Sequence, residues 1–191
     1  MDSALLCRAF DFACAAHGDQ VRKGHPVPFI AHPMAVSSLV LEYGGDTETA
    51  AAALLHDTIE DTPTTAESLR EAFGERVAAI VVACTDNLPP CPPEWRARKE
   101  RFLRDVRQAD SAVHLVFAAD KLHNARDVVR EQREIGDAAF RIFVGRKDGT
   151  LWYYRAALNV LDETAGDDPG LRALLGDLRR EVETMESLAG Q

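Results

Sequence analysis

The sequence has little with which to staple itself covalently. It holds 4 cysteines in 191 residues. Cys7, Cys14, Cys84 and Cys91 form no C-x-x-C pair and are too few for a disulfide scaffold in a chain of this length. Cys7 and Cys14 fall in an Ala-rich helical pattern and are expected on one apolar face as buried thiols. Long apolar runs are missing too: nothing approaches the roughly 18 consecutive apolar residues of a membrane helix. The start, MDSALLCRAFDF, carries Asp2 and Asp11 where a signal peptide would have a basic opening and an uninterrupted apolar stretch. A basic surplus is also absent. With 22 Lys+Arg against 31 Asp+Glu, the net charge is −9, which argues against nucleic acid as a partner. Any anionic ligand must be met by a local cluster of Arg and Lys. The expectation is a soluble cytoplasmic protein with neither a membrane nor a nucleic-acid partner.

Strand alternation and internal repeats are likewise absent, and helical spacing dominates. Leu5, Ala9, Phe12, Ala13 and Ala16 share one helical pattern. Pro33 suits the first turn of a second helix, and Asp46 can cap a third through Ala50 to Leu55. Thr64-Thr65-Ala66-Glu67 reads as a capping box, with Gly74 as the stop. Val77, Ile80, Val81 and Cys84 mark a further helix. Four of the six residues from Leu88 to Pro93 are proline, so that stretch is expected as a stiff surface loop. Helical pattern resumes at Trp95, continues from Val113 to Val129 and from Thr150 to Leu161, and opens a last time at Asp168-Pro169. The expected fold class is all-α, with roughly eight to ten helices.

The sharpest local feature is His56-Asp57-Thr58-Ile59-Glu60-Asp61. On a continuous helix, Glu60 lies at i+4 from His56 and Asp61 at i+4 from Asp57, which turns all four toward one region. Three carboxylates and an imidazole so close repel one another unless a cation intervenes. His32 sits at the mouth of a helix, and Asp120 ends the apolar run Val113 to Ala119, a place where a carboxylate needs a cation or a donor network. His32, His56, Asp57 and Asp120 together offer an N2O2 ligand set suited to Mn, Fe or Zn.

Three blocks then carry a resemblance: Arg22-Lys23-Gly24 with Pro28-Phe29-Ile30-Ala31-His32-Pro33; His56 through Thr62; and Ala119-Asp120-Lys121-Leu122-His123-Asn124-Ala125-Arg126-Asp127. Their order is that of the HD phosphohydrolases. More narrowly, the chain resembles the hydrolase domain of the RelA/SpoT proteins and the stand-alone small alarmone hydrolases, from about residue 5 to about 160. The resemblance implies a single HD hydrolase domain over 1–191, a helical bundle with residues 163–191 as a C-terminal helical extension. It implies that His32, His56, Asp57 and Asp120 bind one Mn²⁺, and that Glu60 and Asp61 position or deprotonate the attacking water. It places Arg22 and Lys23 beside the bound nucleotide and Asn124 at its sugar. The implied reaction is removal of the 3′-pyrophosphate from ppGpp or pppGpp. The short segment between Lys23 and Phe29, with Phe29 where the family often has Tyr, and the proline-rich loop depart from the family pattern. Another nucleotide, such as NADPH or an adenine alarmone, therefore stays open, as does a non-catalytic alarmone-binding module.

Two further clusters remain. The segment Trp95 to Arg104 is a basic helix in an acidic protein. It is read as a solvated face, with Arg98, Lys99 or Arg101 as candidates for distal phosphates. Aromatics in Thr150-Leu151-Trp152-Tyr153-Tyr154-Arg155 are read as core. His17, His25, His114 and His123 receive no metal role.

Overall fold

Helix α1 (Ser3–His17) starts where Asp2 accepts a hydrogen bond from the Leu5 amide at 3.1 Å in the computed structural model, which describes residues 2–89 and 94–190. The face that α1 buries is Leu5, Ala9, Ala13 and His17. This corrects the reading of the thiols: Cys7 points away from that face and is exposed, and Cys14 is only half-buried. In an alanine-rich helix every face looks equally apolar on paper, so the leucine decides. Cys91 and the core of the proline-rich stretch lie outside the described residues.

An irregular arm follows, pinned by an isolated bridge between Val21 and Pro28 and by the Arg22 amide donating to the Val27 carbonyl at 2.9 Å. It leads into α2 (Ala31–Glu42), with Pro33 in the first turn as expected. Helix α3 (Thr47–Leu55) is capped by Asp46 and buried at every residue from Thr49 to Leu55. The alanines at 50–53 let it sit between α1, α2 and the later α6 and α8. A single turn, α4 (Thr58–Asp61), then leads to α5 (Ala66–Phe73). The capping box of α5 is one residue later than expected, Thr65 with Ser68 rather than Thr64 with Glu67. Thr64 is instead engaged with the Thr62 hydroxyl at 2.8 Å.

After α6 (Glu75–Cys84) and α7 (Trp95–Arg107) comes the spine, α8 (Ser111–Ile135), buried continuously from Val113 to Ala119. A short 3-10 turn, Gly136–Ile142, leads to α9 (Arg146–Thr164) and α10 (Pro169–Ala189). Asp168 caps α10 ahead of Pro169 as expected. This last helix lies along α8 and buries Leu171, Leu174, Leu175, Leu178, Val182 and Met185. At about 1.5–3 kcal/mol for each fully buried large side chain, that face holds α10 firmly to the bundle. Its start is fitted closely to α2: a Cβ on Gly170 would stand 1.9 Å from the Tyr43 carbonyl oxygen, and the Tyr43 hydroxyl donates to Asp177 at 2.6 Å. No strand occurs among the described residues, and the fold is all-α with ten α-helical segments among them. None of those helices is long and apolar enough to cross a membrane.

Candidate functional site

The site forms where α3 breaks. The buried body of α3 ends at Leu55, His56 and Asp57 occupy a turn, and α4 begins at Thr58. The uninterrupted helix assumed from the sequence is thus interrupted at the doublet itself. Two bonds hold the break. His56 Nδ1 donates to the Ala53 carbonyl at 2.7 Å, and the Thr58 hydroxyl donates to the Leu55 carbonyl at 2.7 Å. With Nδ1 so engaged, His56 presents Nε2 to the interior. His32 enters from the first turn of α2 and is 1% exposed, while Asp120 enters from the middle of α8.

These four side chains converge. His32 Nε2 lies 3.5 Å from Asp57 Oδ2 and 3.2 Å from Asp120 Oδ1. His56 Nε2 lies 3.2 Å from Asp57 Oδ2 and 3.8 Å from Asp120 Oδ1. The donor atoms of His32, His56 and Asp57 all fall within 4.8 Å of one another. His56 Nε2 is buried and no acceptor is aligned with it, an arrangement that is costly in a dry interior unless a ligand completes it. The two imidazole nitrogens and the Asp57 carboxylate are donors that fit a divalent cation, with Asp120 Oδ1 set against both rings.

The electrostatics agree. Burial favours neutral His56, but the charges of Asp57 and Asp120 prevail and raise its pKa to about 9. Burial prevails at His32 and lowers it. Asp120 resists burial because Lys121 and the two imidazoles hold it well below the usual carboxylate range. A proton on His56 therefore balances charge where a cation would.

A ring of supporting residues surrounds the centre. Lys121 Nζ contacts Asp120 Oδ2 at 2.6 Å, leaving Oδ1 for the imidazoles and for Asn124 Nδ2, which donates to it at 2.5 Å. His32 Nδ1 meets His123 Nδ1 at 2.9 Å. Arg22 donates to Asn124 Oδ1 at 2.7 Å and to Asp127 Oδ2 at 2.9 Å, so two residues expected at the nucleotide are joined to each other and to Asp120. Lys23 is exposed at the rim of the same cavity. The parts played by His123, Lys121 and Asp127 were missed in the sequence. Their positions at i+3, i+1 and i+7 from Asp120 on one helix were the available signal.

The cavity beside the centre measures about 300 Å³ and takes in Glu60, Asp61, Trp95, Lys99, Tyr153 and Tyr154. Glu60 is exposed on the cavity side, yet the walls crowd its carboxyl, and this desolvation, with Asp86 adding and Lys99 opposing, raises its pKa to about 7. Asp61 is raised for the same first reason, with Asp57 adding. On the basic helix, Lys99 faces the cavity, ion-paired to the buried carboxylate of Asp86. Arg96 turns away, paired with Glu100 at 2.8 Å. Trp95 rests on α9 where Gly145 and Gly149 leave room: a Cβ there would meet its ring at 2.6 and 3.1 Å.

The profile of the HD-domain family matches residues 9–150. A guanosine-3′,5′-bis(diphosphate) 3′-pyrophosphohydrolase of Aquifex aeolicus is 41% identical over 128 residues, 66% of this chain but only 18% of that protein. The MESH1 guanosine-3′,5′-bis(diphosphate) 3′-pyrophosphohydrolase of Xenopus tropicalis is 40% identical over 132 residues, 68% of this chain and 72% of that one. The chain thus spans less than a fifth of the first relative and nearly three quarters of the second. A solved structure described as a metazoan ortholog of SpoT that hydrolyzes ppGpp superposes with a TM-score of 0.75 at 26% identity, covering 95% of this chain and 97% of that one.

Proposed function

The chain belongs to the HD-domain family, and from that premise we propose that it is a metal-dependent hydrolase removing the 3′-pyrophosphate from guanosine tetra- or pentaphosphate. The products are GDP or GTP and pyrophosphate. The observation that carries this is the convergence of His32, His56, Asp57 and Asp120 within 3.8 Å contacts, beside a carboxyl whose pKa stands at about 7. The names of the relatives supply the substrate.

His32, His56, Asp57 and Asp120 would hold one divalent cation, which we take to be Mn²⁺. When bound, such an ion polarises a phosphoryl oxygen and makes water acidic enough to react near neutral pH. Glu60 takes the proton of the attacking water, for which a pKa near the working pH is the favourable value. Asp61, on the same turn, shares that task. The water oxygen bonds to the phosphorus attached at the 3′ position as the bond from that phosphorus to the ribose 3′-oxygen breaks, and the leaving oxygen takes the proton that Glu60 received from the water. Arg22 and Lys23 meet the ligand's phosphates and Asn124 its sugar, local cations in an otherwise acidic protein. Residues 1–191 then act as one HD hydrolase domain, with α10 as a packing extension.

The deciding experiment incubates purified protein with Mn²⁺ and a panel of 3′-phosphorylated nucleotides together with NADPH, and resolves the products. Pyrophosphate with GDP or GTP, lost in the Asp57→Ala variant along with bound metal, is expected. Faster turnover of another nucleotide, or binding without turnover, overturns the reading.

A further inference from the structure

The one-turn helix α4 carries Glu60 and Asp61, yet four residues cannot hold a helical turn by themselves. Its N-cap residue, Asp57, makes no side-chain capping bond, and the Thr58 hydroxyl bonds back to Leu55 rather than forward into the turn. Local bonds from Thr58 and Thr62 secure its start, and the end that carries Asp61 needs a further anchor. Among the described residues, one side chain from far away in sequence hydrogen-bonds to this turn: Gln20 Nε2 donates to the Asp61 carbonyl at 2.9 Å.

Gln20 is itself held from two sides. Its Oε1 faces His17 Nδ1 at 2.9 Å, and its own carbonyl accepts from the Phe29 amide at 2.8 Å. An amide oxygen only accepts, so the proton of the His17 ring sits on Nδ1. The amide therefore has one orientation that satisfies both neighbours. Reversed, it would set the amide oxygen against the Asp61 carbonyl oxygen. His17 in turn is 3% exposed and stacked on Phe29, with ring centroids 4.5 Å apart. The chain of contacts runs from the buried end of α1, through one amide, to the carbonyl of an acidic residue at the cavity. Gln20 does not line that cavity.

We propose that Gln20, oriented by His17, is a positioning residue that sets the Glu60–Asp61 turn for proton transfer. This rests on the hydrolase reading above. Misplacing a reacting group by about 1 Å costs on the order of 100-fold, so a donor that anchors this turn governs kcat while touching no substrate. Because Gln20 lies two residues before Arg22, a competing role is support of the nucleotide-binding arm alone, which would appear in KM.

The test compares wild type with Gln20→Ala, Gln20→Glu and His17→Ala. Expected for Gln20→Ala is a kcat loss of about 10-fold or more, with KM and metal content unchanged. Gln20→Glu, which keeps the shape and sets an acceptor against a carbonyl, should be at least as damaging, and His17→Ala intermediate. In a Glu60→Gln background the Gln20 substitution should cost less than it does in wild type, because only Asp61 is left on the turn to be misplaced. Amide exchange, read without substrate, should quicken across residues 58–62 and not in α3. An inactive wild type overturns the hydrolase reading and leaves the exchange arm to judge the anchor. Unchanged exchange, unchanged kcat, a rise confined to KM, or a full multiplicative loss in the Glu60→Gln background overturns the proposal.

Discussion

The Nδ1 atoms of His32 and His123 face each other at 2.9 Å, and one must donate while the other accepts. With a cation held at His32 Nε2, the atom turned toward Asp57 and Asp120, the ring's one proton would sit on Nδ1 and His32 would be the donor. His123 must then present a bare nitrogen. Burial, with His32 adding, holds its pKa down at about 4, so it remains a neutral acceptor across the physiological range. Imidazole here does what a carboxylate or carbonyl usually does for a metal-binding histidine. His123→Ala should weaken divalent-metal affinity by about 10–100-fold, the usual cost of losing such a partner, while circular dichroism stays that of wild type. Calorimetric titration of Mn²⁺ into both proteins measures this, and equal affinities would remove His123 from the site.

Metal uptake should release a proton. In the metal-free protein His56 titrates at about 9, so at pH 7 a cation must displace its proton. Apparent affinity should fall as pH drops below about 9, by up to tenfold for each pH unit. Titrations in two buffers of different ionisation enthalpy give the number of protons released, expected to be near one at pH 7. The folded-state pKa is raised, so this group's stabilisation is complete below its ordinary value of 6.5 and is lost as pH rises through about 9. The chelated protein should accordingly lose Tm between pH 7 and 9, and the metal-loaded protein should lose less.

Glu60→Gln separates chemistry from stability. The amide keeps size but takes no proton, so turnover should fall by about 100-fold or more with metal content unchanged. A raised carboxyl pKa means that ionising Glu60 costs the fold: its contribution is intact below 4.5 and is lost as pH rises through about 7. At pH 8 the metal-free variant should therefore be more stable than wild type, by about 1 kcal/mol or less, because cavity water screens an open carboxylate. In the wild type, kcat should decline as pH falls through about 7, and the cation's charge moves that midpoint lower. A variant with wild-type turnover would make Glu60 a bystander.

For the nucleotide, the double variant Arg22→Ala, Lys23→Ala should raise KM at least about tenfold and leave metal content intact. Hydrogen bonds from charged groups are each worth about 1.5–3 kcal/mol. Arg96→Ala, whose partner is Glu100 on the outer face of α7, should leave KM near wild type. Steady-state kinetics on both decides. A large effect at Arg96 with none in the double variant would move the phosphate site onto α7.

What could be read in advance follows from range. Caps and breakers act over a few residues, so Asp46, Gly74 and Asp168 with Pro169 marked helix ends correctly. The four converging residues His32, His56, Asp57 and Asp120 were legible as a family signature rather than from spacing, since 88 positions separate the first from the last. The break at His56-Asp57 was not legible, because its cause is a histidine bonded back to Ala53, and helical and broken forms share those residue types. The facing of Cys7 failed because a run of alanines marks no side. Lys99 was undecided between solvent and cavity, and its pairing with the buried Asp86 is a contact between helices that pattern alone does not reach.

The two glycines under Trp95 have an optical consequence. The chain holds 2 tryptophans. Trp95 is seated on Gly145 and Gly149 with its ring in the cavity wall. Trp152 stands 6.1 Å from it, centroid to centroid, beneath the Arg96 guanidinium at 3.1 Å. Displacing water from the cavity changes the surroundings of one indole and leaves the other under its cation. Emission from this pair is a built-in gauge of occupancy that needs no label, and Trp152→Phe would reduce it to a single reporting ring.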